Sequence, residues 1–302
     1  MKSKTYLYLG ILAVLAIAAY FLTGDKGEKT SSYKLSEQKL FEIDSVKVDK
    51  IELTNKNGTI LISKTSGEWK VEQPYQYKTV SASIENMVSN LKNMKLESIV
   101  STNSAKKDIY GFKEPDETVV TVYESGVPKG KFILGGDASG GNASYVKRMD
   151  SDNIYIADAI DRNNFVKADI NEWRDKSIVS IPKQTINSVE FVTPSGDFTV
   201  KRDSSGGYFL GSDSVGKAFD GILNLLGAFT TNSFKDTTLS DQTVFSEKII
   251  IDWGPKTEMK FLKLNTTPGK YLLVLNNDNQ IYELDEAYAK NLLKNSSEIM
   301  VK

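Results

Sequence analysis

Apolar residues follow three different patterns along this chain. From Thr5 to Leu22 no residue carries a charge and most are apolar. At a rise of ~1.5 Å per residue, an 18-residue helix spans roughly 27 Å, about the hydrocarbon thickness of a bilayer. From Val46 onward, apolar and polar residues alternate in short runs, which is the period of half-buried strands. Twice, the alternation gives way to helical spacing. Val80, Ile84, Met87, Val88, Leu91 and Met94 mark one such stretch, and Val215, Phe219, Ile222, Leu223, Leu226 and Phe229 mark the other. Each predicts one apolar face of an amphipathic helix, over about 80–95 and about 215–229.

The order of these elements repeats. Lys50-Ile51-Glu52-Leu53, a turn at Asn57-Gly58, then Ile60, Ile62 and Lys64 correspond at a constant offset to a second series. That series is Ser188-Val189-Glu190-Phe191, a turn at Ser195-Gly196, then Phe198, Val200 and Arg202. Trp69-Lys70-Val71 and Tyr208-Phe209-Leu210 predict the next strand of each copy. After the helices, Val120-Thr121-Val122 matches Ile249-Ile250-Ile251, and Lys131-Phe132 matches Lys260-Phe261. Tyr145-Val146 matches Tyr271-Leu272, and Ile154-Tyr155 matches Ile281-Tyr282. A short closing helix is expected near Ala159–Val166 in one copy and near Glu286–Lys294 in the other. The expected fold is α+β, an N-terminal transmembrane helix followed by two tandem units of antiparallel β-sheet with packed helices. The organisation read from the chain is an anchor at 1–23, a polar tether at 24–45 and unit A at 46–169. A connector at 170–185 leads to unit B at 186–302.

Lys2 and Lys4 precede the apolar segment, whereas the charges after it balance. The positive-inside rule then places the N-terminus in the cytoplasm and the remainder outside, in the periplasm. The alternative is a cleaved signal peptide, with Ala16-Ile17-Ala18 as its small-x-small site. Formal net charge is −1, so no basic field exists to hold nucleic acid. Histidine and cysteine are both absent. Their absence removes Ser-His-Asp and Cys-His catalysis, structural zinc, disulfides and a lipidated cysteine.

Other chemistry is thin. Gly135-Gly136-Asp137-Ala138-Ser139-Gly140-Gly141 precedes a strand rather than a helix and reads as a hairpin loop, not a phosphate cradle. Asp150-Ser151-Asp152-Asn153 and Asn276-Asn277-Asp278-Asn279 read as turns. Glu114, Asp116 and Glu117 cluster, as do Glu283, Asp285 and Glu286, at positions where acidic residues start helices or solvate turns. No catalytic, cofactor or metal residues emerge. Trp173, Arg174 and Asp175 between the units are candidates for an interaction or inter-unit contact, and Arg174 is one of only four arginines. Trp69, Tyr145, Tyr208, Trp253 and Tyr271 are candidates for stacking on a sugar ring.

Several short motifs together resemble the envelope family called domain of unknown function 4340. They are Tyr110-Gly111-Phe112-Lys113-Glu114-Pro115 ahead of a strand, Leu134-Gly135, Tyr145-Val146, and Arg174-Asp175-Lys176 after an aromatic. The family motif usually reads Gly-Leu-x-x-Pro, and here Phe112 replaces leucine as the apolar plug. The resemblance implies a single-pass envelope protein associated with gliding-motility-type ABC transport components, with no site residues to carry over. The resulting expectation is a non-enzymatic, membrane-anchored accessory or scaffold protein with protein partners and no cofactor. The alternative is a binding module for polysaccharide or another envelope solute.

Overall fold

The computed structural model describes residues 39–113, 117–139, 141–276 and 278–301. The segment 5–22 and most of the stretch read as a tether lie outside them. Among the described residues no helix is long and apolar enough to cross a membrane.

The described chain is mostly β-sheet. The first sheet takes β1 (Val48–Asn55), β2 (Gly58–Thr65), β3 (Glu68–Gln73), β4 (Tyr77–Lys78), β5 (Lys95–Ser101), β6 (Thr118–Glu124), β7 (Val127–Asp137), β8 (Ala143–Lys147) and β9 (Ile154–Asp158). The chain continues through β10 (Ser177–Val179), β11 (Ser188–Val192), β12 (Phe198–Arg202), β13 (Tyr208–Leu210), β14 (Asp213–Ser214) and β15 (Phe229–Thr230). It then forms β16 (Phe234–Lys235), β17 (Glu247–Asp252), β18 (Lys256–Leu264), β19 (Lys270–Leu275) and β20 (Ile281–Asp285). Nine strands form the first sheet in the order β4-β3-β2-β1-β6-β7-β8-β9-β5. Nine form the second in the order β14-β13-β12-β11-β17-β18-β19-β20-β16, and β10 pairs with β15 alone. Position for position, the two nine-strand orders are the same.

The local causes are visible in the sequence. Gly58 sits at φ +131°, a conformation a side chain would resist, and turns β1 into β2 while the Asn55 side chain accepts from Asn57 N–H at 2.8 Å. Helix α1 (Ser81–Asn93) follows β4 and buries Ile84, Met87, Val88 and Leu91. Helix α2 (Lys217–Gly227) follows β14 and buries Phe219, Ile222, Leu223 and Leu226. No side chain caps its N-terminus, and Gly221 within it weakens the helix by about 1 kcal/mol relative to alanine. Packing therefore holds α2, through a core that includes Val189, Phe191, Val200, Ile249, Ile251 and Phe261.

Three expectations need correction. Val80, placed on the apolar helical face, precedes α1 and is 43% exposed. The closing helix expected near Ala159–Val166 is a single 3-10 turn, Arg162–Asn164, because Ala159 adopts φ +65° and Asp161 caps the turn afresh. Its counterpart shortens to α3 (Glu286–Ala289), followed by α4 (Ser296–Ile299).

The chain divides into two compact bodies. One includes Leu53–Asn57 and Met87–Phe165; the other comprises Asp49–Glu52, Gly58–Asn86 and the chain from Val166 onward. In the first body, the last residues of the stretch read as a tether are packed. The Phe41 ring covers Gly130, where even a Cβ would come within 2.5 Å of it, and lies 5.8 Å from Phe132.

Candidate functional site

The connector brings Trp173, Arg174 and Asp175 to one place in the second body. Asp169 and Glu172 form a capping box around a short 3-10 helix, Ile170–Trp173, which fixes the chain's direction as it leaves. Trp173 is buried, and Arg174 follows in extended conformation. The Arg174 guanidinium lies between two rings, 4.2 Å from the Tyr77 centroid and 4.9 Å from that of Phe234. Its Nη2 donates to Asp236 in an ion pair, and its side chain is only 2% exposed. A desolvated cation between aromatic faces is held by the ring quadrupoles as well as by the carboxylate. Asp175 N–H donates to Lys78 C=O at 2.8 Å, and its side chain accepts from Ser177 N–H at 2.9 Å.

Around this core lies a second polar layer. Gln280 Nε2 donates to Asp175 C=O at 3.4 Å. Lys78 pairs with Asp278 at 3.2 Å, and the Tyr282 hydroxyl donates to the same carboxylate at 2.7 Å. Asp278 is 5% exposed at its side chain, so this part of the Asn276–Asn279 turn is built into the structure rather than solvated. Burial pushes the Tyr77 phenol well above its ordinary value, opposed by the Arg174 charge. Burial and the bond to Asp278 raise that of Tyr282. Both phenols therefore stay protonated at neutral pH and serve as fixed donors.

Two carboxylates of the second acidic cluster, Glu283 and Glu286, pair with lysines. Glu283 is buried on β20 and meets Lys235 at 2.9 Å and Lys270 at 2.5 Å. Burial alone would raise its pKa, but the hydrogen bonds from Lys270 and Lys235 prevail and hold it below the ordinary value. Glu286 contacts Lys263 at 3.0 Å and Lys290 at 2.8 Å, and those bonds lower its pKa. Glu114 and Asp116 lie outside the described residues. Among the described residues no group of three metal-ligating side chains converges.

The five candidate stacking rings have different surroundings. Trp69 is 2% exposed and Tyr271 3%, so neither presents a face to a ligand. Tyr208 and Trp253 pack partly buried against the core of the second sheet. Tyr145 meets Tyr110 edge-on at 4.9 Å.

The motif around Tyr110 has a separate geometric role. Gly111 stands at φ +76°, and a Cβ there would lie 2.5 Å from Gly136 N. Reciprocally, a Cβ on Gly135 would lie 2.5 Å from Tyr110 C=O and 2.8 Å from the Phe112 ring. Glycines on both segments let the two backbones touch, and Phe112 is fully buried beside them. The Arg162 side chain donates to Gly135 C=O at 3.0 Å. Leu134-Gly135 and Tyr110-Gly111-Phe112 are thus two halves of one contact.

A family model described as a domain of unknown function, DUF4340, matches residues 69–243. This covers more than half of the chain, which therefore belongs to that family. No curated protein and no solved structure matches it.

Sequence reasoning singled out Arg174 but not Tyr77, Phe234 and Asp236, which surround it. Only the scarcity of arginine and the aromatic before it gave a signal.

Proposed function

We propose that this is a non-enzymatic, membrane-anchored extracytoplasmic protein. It serves as an accessory or scaffold, within an ABC-type transport or gliding-related envelope complex, and is built as a tandem repeat of one sheet-and-helix unit. The observation that carries this reading is the commitment of its charged groups. Arg174 is enclosed by two rings and Asp236, Glu283 by two lysines, and Glu286 by two more. Groups locked in this way hold a body together, and the body then works through its surfaces. The shared strand order supports the repeat. The uncharged segment at 5–22 supports the anchor.

Two measurements test it. The native chain has no cysteine, so a single Asn57→Cys substitution at an exposed turn is a background-free topology probe. A membrane-impermeant maleimide labels it from outside the cytoplasmic membrane if the reading holds; labelling only after that membrane is broken contradicts it. Affinity purification of the full chain in mild detergent recovers transporter subunits, and repeated recovery of the chain alone contradicts the accessory role.

A further inference from the structure

Beside the Arg174 clamp, and wholly within the second body, lies a cleft of about 540 Å³. That is within the usual range for small-molecule sites. Its lining includes Tyr75, Gln76, Arg174, Asp236, Asn279 and Gln280. A smaller recess of about 280 Å³ shares Gln76, Asn279 and Gln280 with it.

Two residues that line this cleft each carry a buried side-chain atom with no hydrogen-bond partner: Arg174 Nε, a donor, and Gln280 Oε1, an acceptor. Arg174 is 4% exposed and Gln280 3%. An unsatisfied buried polar atom is costly, so a ligand gains by reaching either one once the side chains around it turn aside. Tyr75 stands 49% exposed at the rim, a ring face free to be covered.

The charges limit the ligand. Arg174 is paired with Asp236, and Lys235 with Glu283, while Glu72 adds a carboxylate to the lining that repels anions. The unmet groups are one side-chain donor and one side-chain acceptor, together with amides and an aromatic ring. A hydroxyl both donates and accepts, and the apolar face of a sugar ring stacks on tyrosine. An extended peptide would instead be read through backbone ladder bonds.

We propose that this cleft binds a neutral saccharide. Hydroxyl groups of the sugar satisfy Arg174 Nε and Gln280 Oε1 after a small rotation of the Gln280 amide and the Asp236 carboxylate, and one ring rests on Tyr75. This site is distinct from the five rings singled out by sequence, and it stands or falls independently of transporter association.

The test is binding of the full chain, held in lauryldimethylamine oxide micelles so that no detergent sugar competes. It is applied to an array of neutral glycans, anionic glycans and extended peptides. The expected result is retention of neutral glycans. Tyr75→Ala and Gln280→Met each weaken that binding by about three- to tenfold, as loss of one such contact should. Tyr75 is exposed, so its variant keeps the fold even if Gln280→Met does not. Retention of anionic glycans or peptides alone, retention of nothing, or neutral-glycan binding that Tyr75→Ala leaves unchanged would each overturn the proposal.

Discussion

The two sheets have one strand order, yet they treat the connection that follows their last-placed strands, β5 and β16, differently. In the first sheet the chain from β5 to β6 forms a 3-10 helix, Ser104–Tyr110, and then Gly111 presses against Gly136 of β7. In the second sheet the chain from β16 to β17 has no helix, and most of residues 236–243 are exposed. At the β18 positions that the ladders match to Leu134-Gly135 stand Phe261 and Leu262, so no glycine is there to allow the same close approach. A related difference falls within the strands. Glu283 of β20 and Lys270 of β19, locked together, occupy the ladder positions that Ile156 and Ala143 hold in β9 and β8. The first copy spends this connection on packing. The second leaves it open, beside the Arg174 clamp, and lines the cleft with it.

Substitutions can break this contrast, from the largest effect down. Arg174→Ala strips two rings and Asp236 of their cation and should cost about 3–5 kcal/mol, read as a lower denaturant midpoint for the full chain. Arg174→Lys should recover little, because an ammonium cannot fill the planar slot between the rings. Gly111→Ala meets both a positive φ and a backbone nitrogen, so a loss of about 2–4 kcal/mol is expected. Glu283→Gln should cost about 1–3 kcal/mol by the same measurement. It should also flatten the acid limb of stability. A carboxylate whose pKa is lowered on folding contributes above its ordinary value of 4.5, and that contribution fades as pH falls through the lower folded value. Lys270, raised by Glu283, acts in the opposite sense, contributing below 10.5 and losing that contribution as pH climbs through its folded value. Thr238→Ala, in the open connection of the second copy, should change stability by less than about 0.5 kcal/mol.

Much of the fold could be read from residue spacing. The helical periods at 84–91 and 219–226 were decisive because those side chains reach a core, and packing enforces the period. Element ends were less legible. Val80 fits the helical spacing but precedes the first turn, and the positive φ of Ala159 has no signal in its own identity. The site was the least legible part. Asp236 lies 62 residues from Arg174, and Asp278 reads as a turn residue until Lys78 and Tyr282 close over it. Long-range side-chain partners of this kind leave no periodic trace. The family motif behaved differently, since its glycines could be named in advance while only the fold shows that they face each other.

Amide hydrogen exchange on the full chain compares the two connections most directly. Gly111 and Phe112, whose N–H groups donate to Asp108 and Lys107 C=O, should exchange slowly with their sheet. Amides of Asp236–Leu239 should exchange quickly and slow down when a neutral saccharide occupies the cleft. Equal protection of both connections, or fast exchange at Gly111 and Phe112, would contradict the claim that one copy's connection is packed and the other's is free.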